Sequence, residues 1–145
     1  MYIAIEGAIG VGKTTLSRLL APLFGAELLL EIFEENPFLA DFYTDRDLYA
    51  FQTQIFFLLS RYHQQKHIPL MLRENTHLIA DYTFEKDALF AGLNLEGDEL
   101  DTYFSVHDAL AEKLPGPDLI VYLKADTDVL MQRIAHRDRP YERNM

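Results

Sequence analysis

The chain has 145 residues, 49% of them hydrophobic and 25% charged, which is ordinary globular composition with room for one domain around a single core. It contains no cysteine, which excludes disulfides, thiolate catalysis and cysteine-ligated zinc. A net charge of −10 argues against a nucleic acid polymer as partner, because such a face needs clustered Lys and Arg to displace counterions, whereas a small anionic ligand needs only local positive charge.

Tyr2-Ile3-Ala4-Ile5-Glu6 reads as a short buried strand. After a glycine-rich loop, Lys13–Phe24 carries Leu16, Leu19, Leu20 and Leu23 at helical spacing, with Pro22 bending or shortening its end and Gly25 stopping it. Ala26–Glu31 is the second strand. Asn36-Pro37 reads as an N-cap followed by proline at the first helical position, opening a short helix through about Tyr43. Leu48–His67, with Leu48, Phe51, Ile55, Leu58, Leu59 and Tyr62 at helical intervals, is the longest helix. His77–Asp81 is the third strand, Lys86–Leu93 and Glu99–Leu114 are helices, and Gly116-Pro117 makes a turn. Asp118–Leu123 is the fourth strand, followed by a helix from about Asp128 to Ala135. Strands alternating with helices predict an α/β fold: one domain over 1–145, a parallel sheet with helices on both faces and the ligand at the carboxyl ends of the strands. After Arg137-Asp138-Arg139-Pro140 the chain runs to Met145 with no closing strand or helix, which predicts a domain truncated at its C-terminus. No apolar run approaches the roughly 20 residues that span a bilayer. A first strand starting at Tyr2 leaves no room for a signal peptide, so no membrane partner and a cytoplasmic location are expected.

Gly7-Ala8-Ile9-Gly10-Val11-Gly12-Lys13-Thr14-Thr15 is a G-x-x-x-x-G-K-[ST] phosphate-binding loop, and it sits in the confirming order of strand, loop and helix. Its glycines let successive N–H groups turn toward phosphate oxygens, and the helix that follows adds its positive end. Lys13 is placed to reach the β- and γ-phosphates of ATP, and the hydroxyl of Thr14 to hold Mg²⁺. A glycine-rich turn with a solvated lysine is the bland alternative.

Three further features suit the same site. Asp81 ends the apolar strand Leu78-Ile79-Ala80, an arrangement that places a carboxylate beside Mg²⁺ in phosphate-loop enzymes. Glu31 ends the second strand, and a hydroxyl attacking a γ-phosphate profits from a carboxylate that orients it and takes its proton; the neighbouring Glu34 and Glu35 are less well placed. Arg133, Arg137 and Arg139 form an Arg-x-x-x-Arg-x-Arg pattern, with positions 133 and 137 on one helical face, suited to clamping the charge of a transferring phosphoryl group. Basic residues favoured by the dipole at a helix end are the competing explanation.

Glu31 followed by Asn36-Pro37-Phe38-Leu39, Phe42-Tyr43-Thr44-Asp45 and Phe51-Gln52-Thr53-Gln54 resembles the deoxynucleoside kinases, in particular the bacterial deoxyguanosine/deoxyadenosine kinase branch, and the resemblance runs from Met1 to the end. It implies a phosphate-loop kinase that moves the γ-phosphoryl group of ATP, with Mg²⁺, to the 5′-hydroxyl of a deoxynucleoside, a purine one, in nucleotide salvage. It implies Glu31 as catalytic base, Tyr43 and its partner Glu142 at the sugar 3′-hydroxyl, and Gln52 and Asp87 as base readers. Phe90 would stack on the base, and Arg137 and Arg139 would close as a lid. The chain departs from the pattern at Asp81-Tyr82-Thr83, where many relatives carry arginine after the acid. It also lacks the last strand and helices. A homodimer is expected, with long helices such as Leu48–His67 available to pair about a two-fold axis. Two rivals remain. A thymidylate-type nucleoside monophosphate kinase shares the loop and lid arginines but needs an arginine-rich acceptor pocket in place of Glu31. A nucleotide-dependent switch ATPase would turn over without any acceptor.

Overall fold

Side chains alternate along β1 (Tyr2–Gly7), and both of its faces are apolar: Tyr2 and Ala4 on one, Ile3 and Ile5 on the other. A strand buried on both sides belongs inside a parallel sheet. The structure, a computed structural model that describes residues 1–32 and 36–137, places it there. With β2 (Ala26–Leu29), β3 (His77–Ala80) and β4 (Leu119–Leu123), the sheet has the order β2-β3-β1-β4, and every pairing is parallel. Ala4 lies opposite Ala80 on one side and Ile120 on the other.

One face of the sheet is covered by α1 (Lys13–Phe24), whose Leu16, Leu20 and Ala21 pack with Ile3, Ile5 and Ile79. On the other face, Ile68, Met71 and Leu72 of a helix over Ile68–Glu74 pack with Tyr2, Leu29, Leu78 and Tyr82. Helices on both faces of a parallel sheet are what the alternating pattern predicted. The described residues fall into two compact units, and these elements belong to the first, built from Met1–Glu31, Ile68–Thr83 and the described residues from Gly116 onward.

The second unit, from Ile32–His67 and Phe84–Pro115, is helical. It contains α2 (Leu39–Thr44), α3 (Arg46–Gln65), α5 (Lys86–Asn94) and α6 (Gly97–Ala111), the Ile68–Glu74 helix of the first unit being α4. Its core is Phe42, Ala50, Leu58, Phe84, Ala91, Leu95 and Tyr103. Asp45 caps α3, its carboxylate accepting the Leu48 N–H at 3.2 Å.

Several boundaries differ from the sequence reading. No helix was expected between His67 and His77; α4 is only two turns long, too short for a periodic signal, and Pro69 sits in its first turn, where proline costs little. The short helix begins at Leu39 instead of Pro37, because the Asn36 side chain accepts the Phe38 N–H at 3.0 Å and holds 36–38 in a turn. β2 ends at Leu29 and β3 at Ala80, so Glu31 and Asp81 lie just beyond the strands. Among the described residues, no helix is long and apolar enough to cross a membrane.

Candidate active site

The loop joining β1 to α1 takes its shape from its glycines. A Cβ on Gly7 would stand 2.5 Å from the carbonyl oxygen of Leu123, so β4 approaches too closely for any side chain there. Gly12, with φ of +106°, caps α1 in a conformation L side chains rarely adopt, and its carbonyl accepts the Leu16 N–H at 2.9 Å to start the helix. The Lys13 ammonium bends back over the loop, donating to the carbonyls of Gly7 at 2.7 Å and Ala8 at 3.1 Å. The charge of Lys13 is thereby held at the loop made by Gly7, Ala8, Ile9, Gly10, Val11 and Gly12.

Asp81 ties three segments of the first unit together. One carboxylate oxygen accepts the Thr14 hydroxyl at 2.5 Å, and the other accepts the main-chain N–H of Glu31 at 2.7 Å. The start of α1, the end of β3 and the residue after β2 thus meet at one carboxylate, and residue 31 is one side chain removed from the phosphate loop. Thr14 and Asp81 form an all-oxygen donor pair of the kind a hard divalent cation takes, with its remaining ligands from phosphates and water. Thr15 follows Thr14 in the first turn of α1, beside the loop.

The residues after Asp81 are pinned as well. Tyr82 is fully buried in the apolar cluster with Tyr2, Leu29 and Ile68, so its ring is a core element and not a substitute for an arginine. Thr83 is held by Glu6, whose Oε1 accepts the Thr83 N–H at 2.7 Å and its hydroxyl at 3.0 Å. Of the basic residues, Arg133 and Arg137 lie on α7 (Thr127–Arg137), with Arg137 at its last position. Arg133 donates to the carbonyl of Val11 at 3.0 Å. Arg139, Glu142, Glu34 and Glu35 lie outside the described residues.

In the helical unit, the residues assigned by resemblance lie in different settings. Asp87, 1% exposed, forms an ion pair with Arg61, which is 5% exposed. Tyr43 is partly buried, its ring edge-on to Phe42 at 5.5 Å between centroids. Phe90 is 43% exposed, with the Lys86 ammonium 5.8 Å from its ring centre. Gln52 is exposed, while Gln54 is buried. The reason is helical phase: at about 100° per residue, the nine residues from Gln52 to Arg61 make roughly two and a half turns and leave the two on opposite faces, whereas the seven from Gln54 to Arg61 make about two full turns and bring them onto one face.

Arg61 and Gln54 are buried polar residues of this unit to which the sequence analysis gave no role. The available signal was polar side chains on the face of α3 that also carries Ala50, Leu58 and Gln65. Buried polar atoms with no hydrogen-bond partner among the described residues occur on α3, α5 and α6: the Thr53 hydroxyl, Asp87 Oδ2 and the Tyr103 hydroxyl. Burial pushes the Tyr103 phenol well above its ordinary range, with the Arg61 charge pulling the other way.

Residues 3–145 match the family model described as deoxynucleoside kinase. The chain belongs to the deoxynucleoside kinase family. It is 39% identical over 145 residues to a deoxyguanosine kinase of Bacillus subtilis, covering 99% of this chain and 70% of that protein. A deoxyguanosine kinase of Lactobacillus acidophilus is 34% identical over 150 residues, covering 97% of this chain and 64% of the relative. Among solved structures, deoxyadenosine kinase from M. mycoides, with products dCMP and dCDP bound, superposes with a TM-score of 0.84 at 30% identity, over 98% of this chain and 73% of that one. The chain thus spans about two thirds of the length of these curated relatives. The family and the phosphate-loop kinase fold expected from the motifs are both borne out.

Proposed function

We propose that this kinase-family chain transfers the γ-phosphoryl group of ATP to the 5′-hydroxyl of a purine deoxynucleoside, deoxyguanosine or deoxyadenosine, for nucleotide salvage in the cytoplasm, and that it works as a homodimer. The observation that carries this reading is the Asp81 carboxylate, shared between the Thr14 hydroxyl and the Glu31 N–H. It ties a carboxylate-bearing residue to the phosphate loop, where an alcohol acceptor needs a base.

In the proposed reaction, Glu31 accepts the proton of the 5′-hydroxyl as its oxygen bonds to the γ-phosphorus, and the bond to the β-phosphate oxygen breaks to release ADP. Lys13 and the loop N–H groups hold the phosphates, and Arg137, with Arg139, offsets the charge that spreads over the transferring group. Mg²⁺, held by Thr14 and Asp81, would screen the polyphosphate when bound. We assign reading of the base to the helical unit. There Asp87 with Arg61 offers paired donors and acceptors, and Gln54 is the better placed of the two glutamines because it shares their buried face. Tyr43 and Glu142 are assigned to the sugar, and Phe90 to stacking against the base.

Product analysis with labelled ATP tests the reading. Deoxyguanosine, deoxyadenosine, deoxycytidine, deoxythymidine monophosphate and no acceptor are supplied in turn. Deoxycytidine belongs in the panel because the M. mycoides deoxyadenosine kinase structure carries dCMP. Deoxynucleoside 5′-monophosphates formed fastest from the purines are expected. Preference for the monophosphate acceptor, or steady hydrolysis unaffected by any nucleoside, would replace this reading with one of its rivals.

A further inference from the structure

The three arginines of the Arg-x-x-x-Arg-x-Arg pattern look equivalent in sequence, but the structure ties Arg133 to the phosphate loop itself. Its guanidinium donates to the carbonyl oxygen of Val11 at 3.0 Å, inside the phosphate loop. The adjacent Ile134 is buried, and a Cβ added to Gly10 would lie 3.1 Å from its side chain and 3.3 Å from the Leu130 carbonyl oxygen. Helix α7 therefore rests directly on the loop at two neighbouring points, one apolar at Gly10 and one polar at Val11.

A trans peptide is planar, so the carbonyl of Val11 and the N–H of Gly12 point in opposite directions. Fixing the carbonyl toward Arg133 fixes the Gly12 N–H away from α7. This peptide needs such a constraint, because Gly12 stands at φ of +106° and glycine alone holds no conformation strongly. We propose that Arg133 is a positioning residue of the phosphate loop: by holding the Val11 carbonyl against α7 it keeps the Gly12 N–H turned to the side that receives the donor nucleotide's non-transferred phosphates. This rests on the nucleotide-binding reading above and divides the arginines by task, Arg133 shaping the cradle and Arg137 meeting the group in transfer.

The test measures dissociation constants for ADP and for ATP, turnover at saturating substrates, and the Gly12 amide resonance of the nucleotide-free chain, in the parent and in Arg133→Ala. Loss of one charge-assisted bond is expected to weaken ADP and ATP by the same factor, about 10-fold, with turnover kept within about two-fold and the Gly12 resonance displaced. Unchanged ADP binding with reduced turnover would make Arg133 a clamp and overturn the proposal. Weaker ADP binding with an unmoved Gly12 resonance would also overturn it, leaving only the charge of the side chain. Should Arg133→Ala not fold, Arg133→Met, which keeps most of the apolar stem, carries the same readouts. A parent chain that binds neither nucleotide defeats the kinase reading itself, an outcome distinct from these.

Discussion

The sheet unit and the helical unit build their polar sites from different material. In the first, main-chain groups do most of the work: loop carbonyls hold Lys13, the Val11 carbonyl holds Arg133, and the Glu31 N–H meets Asp81. In the second, buried side chains meet one another, with Asp87 against Arg61 and Gln54 on the same face of α3. The difference has an energetic consequence. A site framed by backbone can lose a side chain without unfolding, whereas a site framed by buried charges is part of the core, and removing one partner strands the other in a poorly solvating interior.

The largest expected contrast comes from one lysine and one aspartate. Lys13→Ala should reduce phosphoryl transfer to background while changing unfolding free energy by no more than about 1 kcal/mol, because the ammonium donates to loop carbonyls at a partly exposed site. Asp87→Ala should lower unfolding free energy by about 3–5 kcal/mol, measured by urea denaturation, since Arg61 is then left buried without its carboxylate. If the two variants proved equally stable, the distinction between backbone-framed and side-chain-framed sites would fail.

A smaller effect sharpens the comparison inside the helical unit. Gln54→Ala should raise KM for the deoxynucleoside about 10-fold, the worth of a hydrogen bond or two, while Gln52→Ala changes it less than about two-fold. The reverse order would restore Gln52 as the reader. Smallest is Tyr103→Phe, which removes a buried hydroxyl with no hydrogen-bond partner among the described residues and should be neutral or stabilising by up to about 1 kcal/mol near neutral pH. Alkaline behaviour supplies a signed check. The folded-state pKa of Tyr103 is raised, so the native state keeps a proton that the unfolded chain releases above about pH 10, and stability falls as pH rises beyond that point. Tyr103→Phe should lose less stability between pH 9 and 11 in parallel melts, where about these values bracket the unfolded phenol.

These contrasts also explain what could be read from residues alone. The phosphate loop is contiguous, its chemistry demands glycine and lysine at fixed spacing, and β1, which leads into it, is apolar on both faces, so loop, strands and parallel sheet were legible. Glu31 and Asp81 were legible as strand-end acids, although the carboxylate-to-amide bond that joins them spans 50 positions and no local pattern announces it. The face of α3 was harder. Gln52 and Gln54 lie in the same short motif, and only the phase set by Leu58 and Arg61 separates the exposed amide from the buried one. Helix α4 escaped because two turns carry too little periodicity to register, and Tyr82 because a lone aromatic after a strand gives no sign of which side it will pack on.

The central claim, that residue 31 supplies the base next to the phosphate cradle, is tested most directly by Glu31→Gln, comparing turnover with the dissociation constant of the deoxynucleoside. A base that acts only as the proton leaves predicts turnover reduced roughly 100- to 10,000-fold with nucleoside binding altered less than about three-fold. Binding and turnover falling together, or turnover surviving within about ten-fold, would show that the carboxylate organises the site without taking the proton.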